Sequence, residues 1–277
     1  MLTKEDILFI TKETKKIQNL FANGNFEKVI KKTNNLLKKD KTQPIFYNMI
    51  GLSYRQLNNL ESAEKIFILG LKNIPESISI LVNLGALYRI QERFDEAKKT
   101  LQDALKINQN HFSALVNYAN LLRDLNQDLK AIDYYNKALS INDKNETLLI
   151  NLAGSYQMVG DFKMSKKILR DIHNFFPHNS VADQMYSSIN NYMESKDHQD
   201  EMLDKLNNQN ISENDKFILC FAIAKSFSDQ KNPEMSAKYF VMANDLKFKS
   251  FKNYNFDEET KYIINAKKDF KDFNFDN

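Results

Sequence analysis

Apolar residues recur along most of the chain at three- and four-residue steps, the beat of amphipathic helices. In LVNLGALYRI (81–90), Leu81, Leu84, Gly85 and Tyr88 fall within an arc of roughly 100° when each residue turns by about 100°. The pattern predicts a helix with Gly85 inside it. Glycine costs a helix interior about 1 kcal/mol relative to alanine, so its presence needs a physical reason.

Sliding the chain against itself by 34 residues supplies one. Gly51, Gly85, Ala119 and Ala153 form one column, and Ala63, Ala97, Ala131 and Ser165 a second. Gly70, Ala104 and Ala138 form a third, followed by Ile172. Small residues at a fixed period let helices approach closely, and larger ones at Phe67, Leu101, Tyr135 and Leu169 provide knobs to fill the grooves. Short polar turns such as QERFDE and VGDFKM separate the two helices of a period, with Gly160 available for positive φ. Pro75 and Pro177 stand where second helices should stop. A 34-residue period of paired helices with these columns resembles the tetratricopeptide repeat. The likeness is carried by GLSYRQLNNLESAEKIFILGLKNIP, GALYRIQERFDEAKKTLQDALKINQ and ANLLRDLNQDLKAIDYYNKALSIND. It implies an all-α protein, a right-handed α-solenoid of about six helical hairpins.

Four regular repeats are expected at 44–77, 78–111, 112–145 and 146–179. Residues 1–43 read as a degenerate repeat or cap, with Val29 and Thr33 where small and aromatic residues should stand. Residues 180–216 lose the columns and carry the polar run ESKDHQDE, so they read as an irregular helical bridge of two variant helices and a loop. The pattern returns at 217–250 through Ala224, Phe227, Ser236, Phe240 and Ala243. A last helix, with Asp257 as N-cap, and a tail are expected over 251–277.

Composition adds exclusions. Formal net charge is +3 with both signs interleaved, which gives no general pull toward nucleic acid or anionic membrane. No basic stripe alternates with exposed aromatics as base stacking would require. The start, MLTKEDILFITKETKK, does not resemble a signal peptide, and no apolar run nears the roughly 18 residues that span a bilayer. With the lone Cys220 excluding an internal disulfide, the expected setting is cytoplasmic.

The search for chemistry gives little. Neither phosphate-cradling glycine motif occurs. Of His111, His173, His178 and His198, the pair His173/His178 has only Asp171 nearby in sequence, too little for a metal site. Cys220 lies on an apolar helix face, as a buried small hydrophobe would. The expectation is a non-catalytic chain without cofactor or metal.

What remains is a face. First helices of such hairpins line the concave side, and opposite their packing arc lie places 2, 5, 6, 9, 12 and 13 of each repeat. The sixth place holds Asn83, Asn117 and Asn151, places 5 and 9 add Asn48 and Asn120, and the twelfth holds Arg55, Arg89 and Arg123, followed by Gln157. An asparagine amide both donates and accepts, so it can pair with a peptide N–H and C=O. Arginine offers forked donors to carboxylates or phosphates. The same asparagines can instead bond between neighbouring helices, and the arginines can pair with Asp or Glu of the next repeat. The ladder Asn83, Asn117, Asn151 resembles that of O-linked N-acetylglucosamine transferases, which grips substrate polypeptide, although Met49 breaks it one repeat earlier. The two-carboxylate clamp of chaperone-binding repeats is not matched, because its lysines are missing. The expected partner is a polypeptide or protein, held by the eight asparagines and arginines from Asn48 to Asn151.

A second resemblance lies in the C-terminal third. FAIAKSFSD, SAKYFVMANDLK and the basic KFKSFK look like the bridge of bacterial proteins that fuse tetratricopeptide repeats to a sulfotransferase domain. It implies, as the alternative function, the substrate-recruiting part of such an enzyme, or a truncated or stand-alone relative of one, whose catalytic domain is not in this sequence.

Overall fold

The computed structural model describes residues 3–208 and 210–250. The expected last helix and its Asp257 cap lie outside the described residues. The chain divides between Phe175 and Phe176 into two compact units, and among the described residues every regular element is an α-helix.

The first unit holds α1 (Lys4–Ala22), α2 (Phe26–Lys39), α3 (Pro44–Gln56), α4 (Leu60–Asn73), α5 (Ile78–Ile90), α6 (Phe94–Ile107), α7 (Phe112–Asp124), α8 (Asp128–Leu139), α9 (Glu146–Met158) and α10 (Phe162–Phe175). They pair as hairpins, and each second helix packs on the first helix of the next pair. First helices also touch in succession: α1 with α3, α3 with α5, α5 with α7, and α7 with α9. This stacking is that of a right-handed α-solenoid of tetratricopeptide type, in which the first helices form the inner wall.

Gly85 and Gly51 are explained by what faces them. A Cβ on Gly85 would lie 2.6 Å from Leu101 Cγ, and one on Gly51 would lie 2.4 Å from the Phe67 ring. The knobs Phe67, Leu101 and Tyr135 are fully buried, as are Ala63, Ala97, Ala131 and Ser165. Val29 and Thr33 of the degenerate first hairpin are equally buried; the places are filled there by other residue types.

The turns repeat more faithfully than the side chains do. Gly24, Asn58, Glu92, Asn126 and Gly160 all adopt positive φ, between 54° and 81°, at 34-residue steps. The following residue closes each first helix with the long bond of a Schellman cap: Asn59 N–H to Tyr54 O, Arg93 to Tyr88 and Gln127 to Leu122, at 2.8–2.9 Å. Of these left-handed residues only Gly160 is marked for that conformation by the sequence reading.

The second unit holds α11 (Ser180–Ile189), α12 (Asp197–Leu206), α13 (Glu213–Asp229) and α14 (Pro233–Ser250). Both α11 and α12 pack on α13, and α13 packs on α14. Lys231 turns the α13–α14 corner with φ 57°, at the place within 217–250 that Asn58 takes within 44–77. Ala224, Ser236 and Ala243 are buried, but Phe240 is 39% exposed and meets Phe221 edge-on instead of acting as a buried knob. The polar run ESKDHQDE enters α12, where His198 and Gln199 are each only 3% exposed. Tyr192 O–H lies 2.6 Å from His198 Nδ1, Asp183 sits between His198 and Lys205, and Gln199 donates to Ser226 Oγ at 2.9 Å. Cys220 is fully buried, and burial pushes its thiol up to about 11.

Candidate binding groove

The candidate face belongs to the first unit. Helix geometry aligns its residues: the sixth and twelfth places are six residues apart, so they share one broad side of a first helix about 9 Å apart along the axis. With first helices in direct contact, these places form rows across α3, α5, α7 and α9.

The amides are partly committed to one another. Asn83 Nδ2 donates to Asn48 Oδ1 at 2.8 Å, and Asn48 Nδ2 donates to Ser79 Oγ at 2.9 Å. One repeat pair further on, Asn151 Nδ2 donates to Asn120 Oδ1 at 3.1 Å, an oxygen that also accepts from Tyr135 O–H at 2.5 Å. Burial pushes the Tyr135 phenol up to about 12, so it remains a donor. Asn117 differs, because its Nδ2 donates to Ser113 O of its own helix at 2.8 Å. These bonds stitch the second repeat to the third and the fourth to the fifth, counting the degenerate hairpin first. Each amide retains a second N–H, since a primary amide carries two.

The guanidinium groups are not equivalent either. Arg89 Nη1 reaches Asp124 Oδ2 across the repeat boundary at 2.8 Å. Arg123 Nη1 donates to Asn151 Oδ1 at 3.3 Å, and its Nε lies 3.7 Å from Asp128 Oδ1. Arg55 has no carboxylate within ion-pair distance among the described residues. The place that Asp124 takes beside Arg89 is taken beside Arg55 by Ile90. Burial, and next the charge of Arg89, hold the Arg55 guanidinium below its ordinary range.

A pocket of about 270 Å³ opens among Arg89, Asn120, Arg123, Asp128, Asn151 and Met158. Beside it, Leu129, Met158 and Val159 line a second depression and are 71%, 68% and 38% exposed. This apolar rim is absent from the sequence reading, although Met158 occupies a thirteenth place and so falls on the expected face. Among the described residues, no three His, Cys, Asp or Glu side chains are grouped to hold a metal ion, and no helix is long and apolar enough to cross a membrane.

Comparison with known proteins bears on the same region. Residues 45–76 and 76–144 match family models described as tetratricopeptide repeat. A search of curated proteins gives no match. Among solved structures, a tetratricopeptide repeat protein from Parabacteroides merdae superposes with a TM-score of 0.58 at 18% identity, over 86% of this chain and 93% of that one. Pseudomonas aeruginosa pilF gives 0.63 at 14% identity, over 73% and 92%. A thermophilic TPR protein of Thermus thermophilus gives 0.56 at 16% identity, over 65% and 98%. At these identities the likeness is one of fold.

Proposed function

We propose that this chain, a tetratricopeptide repeat protein with matched repeats over residues 45–144, is a non-catalytic interaction scaffold. It holds an extended stretch of a partner polypeptide against the first helices of its first unit. The observation that carries this reading is the row of amides and guanidinium groups across α3, α5, α7 and α9, beside a pocket on the same wall. Amides can meet a backbone's N–H and C=O groups whatever its side chains, so the grip is on the chain and not on one residue.

The bonds between asparagines support this reading. A side chain already fixed by one hydrogen bond loses less rotamer freedom when a ligand arrives, and ordering such a side chain otherwise costs about 0.5–1.5 kcal/mol. Asn83 and Asn151 are held this way by Asn48 and Asn120. Asn117, bonded only within its own helix, changes no inter-repeat bond when it is removed.

The test uses peptides selected on the full chain from a random phage-displayed library. Those peptides are expected to bind Asn117→Ala/Asn151→Ala at least about tenfold more weakly, the loss of two hydrogen bonds. Helical content should stay unchanged, with a slightly lower melting temperature from the lost Asn151–Asn120 bond. Equal affinity for wild type and double variant would remove the groove assignment.

A further inference from the structure

The inner wall of the first unit is chemically uneven from one end to the other, and the unevenness has a direction. Of the three arginines at the twelfth place, Arg89 faces Asp124 and Arg123 faces Asp128, while Arg55 faces no carboxylate among the described residues. A partly buried cation without a counter-ion is an incomplete pair. At the other end, Met158 of α9, the following Val159 and Leu129 of the adjoining α8 are exposed at one depression that Asn126, Gln127, Asp128 and Lys130 also line. Exposed apolar side chains that share one depression can seat an apolar group of a ligand.

We infer that the polypeptide held in this groove carries a carboxylate side chain at Arg55 and, about eight residues away, a bulky apolar side chain over Leu129, Met158 and Val159. The inference rests on the groove reading above and specifies its ligand. Arg55 and Met158 stand at the C-terminal ends of α3 and α9, so the line joining them crosses the first helices at one height. Three helix-to-helix steps of about 8–10 Å separate them. An extended chain rises about 3.3 Å per residue, so it covers that span in about seven to nine residues. A ligand carboxylate placed further along would meet Asp124 or Asp128, which already balance their arginines. One placed at Arg55 meets an unbalanced donor fork. Charge therefore sets the register, and the apolar rim sets the far end.

Random 16-residue peptides displayed on phage are selected in parallel on the wild-type chain, on Arg55→Gln and on Leu129→Ser/Met158→Gln, with equal helical content checked by circular dichroism. Wild type is expected to enrich peptides with Asp or Glu about seven to nine residues from Leu, Ile, Met or Phe. Arg55→Gln should lose the acidic preference and keep the apolar one, and Leu129→Ser/Met158→Gln should do the reverse. For a selected peptide made synthetically, replacing the acid by its amide should weaken wild-type binding about five- to tenfold and Arg55→Gln binding less than about twofold. Enriched peptides without that spaced pair, or the same pair enriched on the variants, overturn the inference. Peptides that keep the pair but bind Asn117→Ala/Asn151→Ala as well as wild type overturn the groove reading instead. If nothing is enriched on wild type, both are rejected.

Discussion

Gly85 stands where a methyl group would lie 2.6 Å from the branched carbon of a fully buried leucine. Two effects oppose each other when alanine replaces it. Helix propensity improves by about 1 kcal/mol, while overpacking a filled core costs about 1–3 kcal/mol. Leu101 has no exposed direction in which to swing, so overpacking should win. Gly85→Ala is expected to destabilise the first unit by about 1–2 kcal/mol, read as a lower urea midpoint. Combined with Leu101→Ala, its effect should shrink by about 1 kcal/mol or more, because the added methyl then enters vacated space. A neutral or stabilising Gly85→Ala would show that Leu101 yields. Close contact is legible in sequence because residue size is what makes it possible, and the columns through Gly51 and Gly85 announce it. Glu92 and Lys231 were not legible as left-handed corners, since neither side chain favours positive φ. The exposure of Phe240 was not legible for a similar reason: an aromatic at helical spacing looks the same whether it faces core or water.

Among the elements, α11 and α12 are held by buried polar groups beside an apolar cluster of Tyr192, Met202, Leu219, Ala222 and Ile223, and not by a column of small residues. Burial alone would raise the Asp183 carboxyl, but the bond from His198 and the charge and bond of Lys205 outweigh it and hold the group below its ordinary value. The unfolded carboxyl titrates near about 3.9. A depressed folded value therefore stabilises the protein fully above that pH, and the contribution is lost as pH falls through the folded value. Asp183→Asn is expected to cost about 3 kcal/mol at pH 7, as breaking a buried pair does. The gap from wild type should begin to narrow as pH falls below about 4. Urea titrations of both proteins at pH 7 and pH 3 measure it, and an equal gap at both would refute the assignment. This is also why the 180–216 stretch resisted reading. ESKDHQDE looks like solvated chain, and only the placement of His198 and Gln199 against Asp183, Tyr192 and Ser226 turns polar residues inward.

Taken as a whole molecule, the first unit is a stack in which each hairpin meets only its neighbours, so its stability is a sum of local terms. Which residues share its inner wall was legible, because a 34-residue register and 100° per residue fix the rows. How those residues spend their hydrogen bonds was not. Whether Asn83 reaches Asn48 or solvent depends on the spacing of α3 and α5, and whether Arg55 finds a carboxylate depends on Ile90 standing where Asp124 stands one repeat later. The recurrent corner at Asn58, Glu92, Asn126 and Gly160 makes a seam at which the chain can be spliced. A second copy of residues 92–125 inserted after Leu125 meets the same backbone step at both junctions. The lengthened protein should gain helical signal in proportion to the added residues and melt no lower than its parent. Its inner surface would then be one module longer, with a duplicate of Asn117 and Arg123 extending the row.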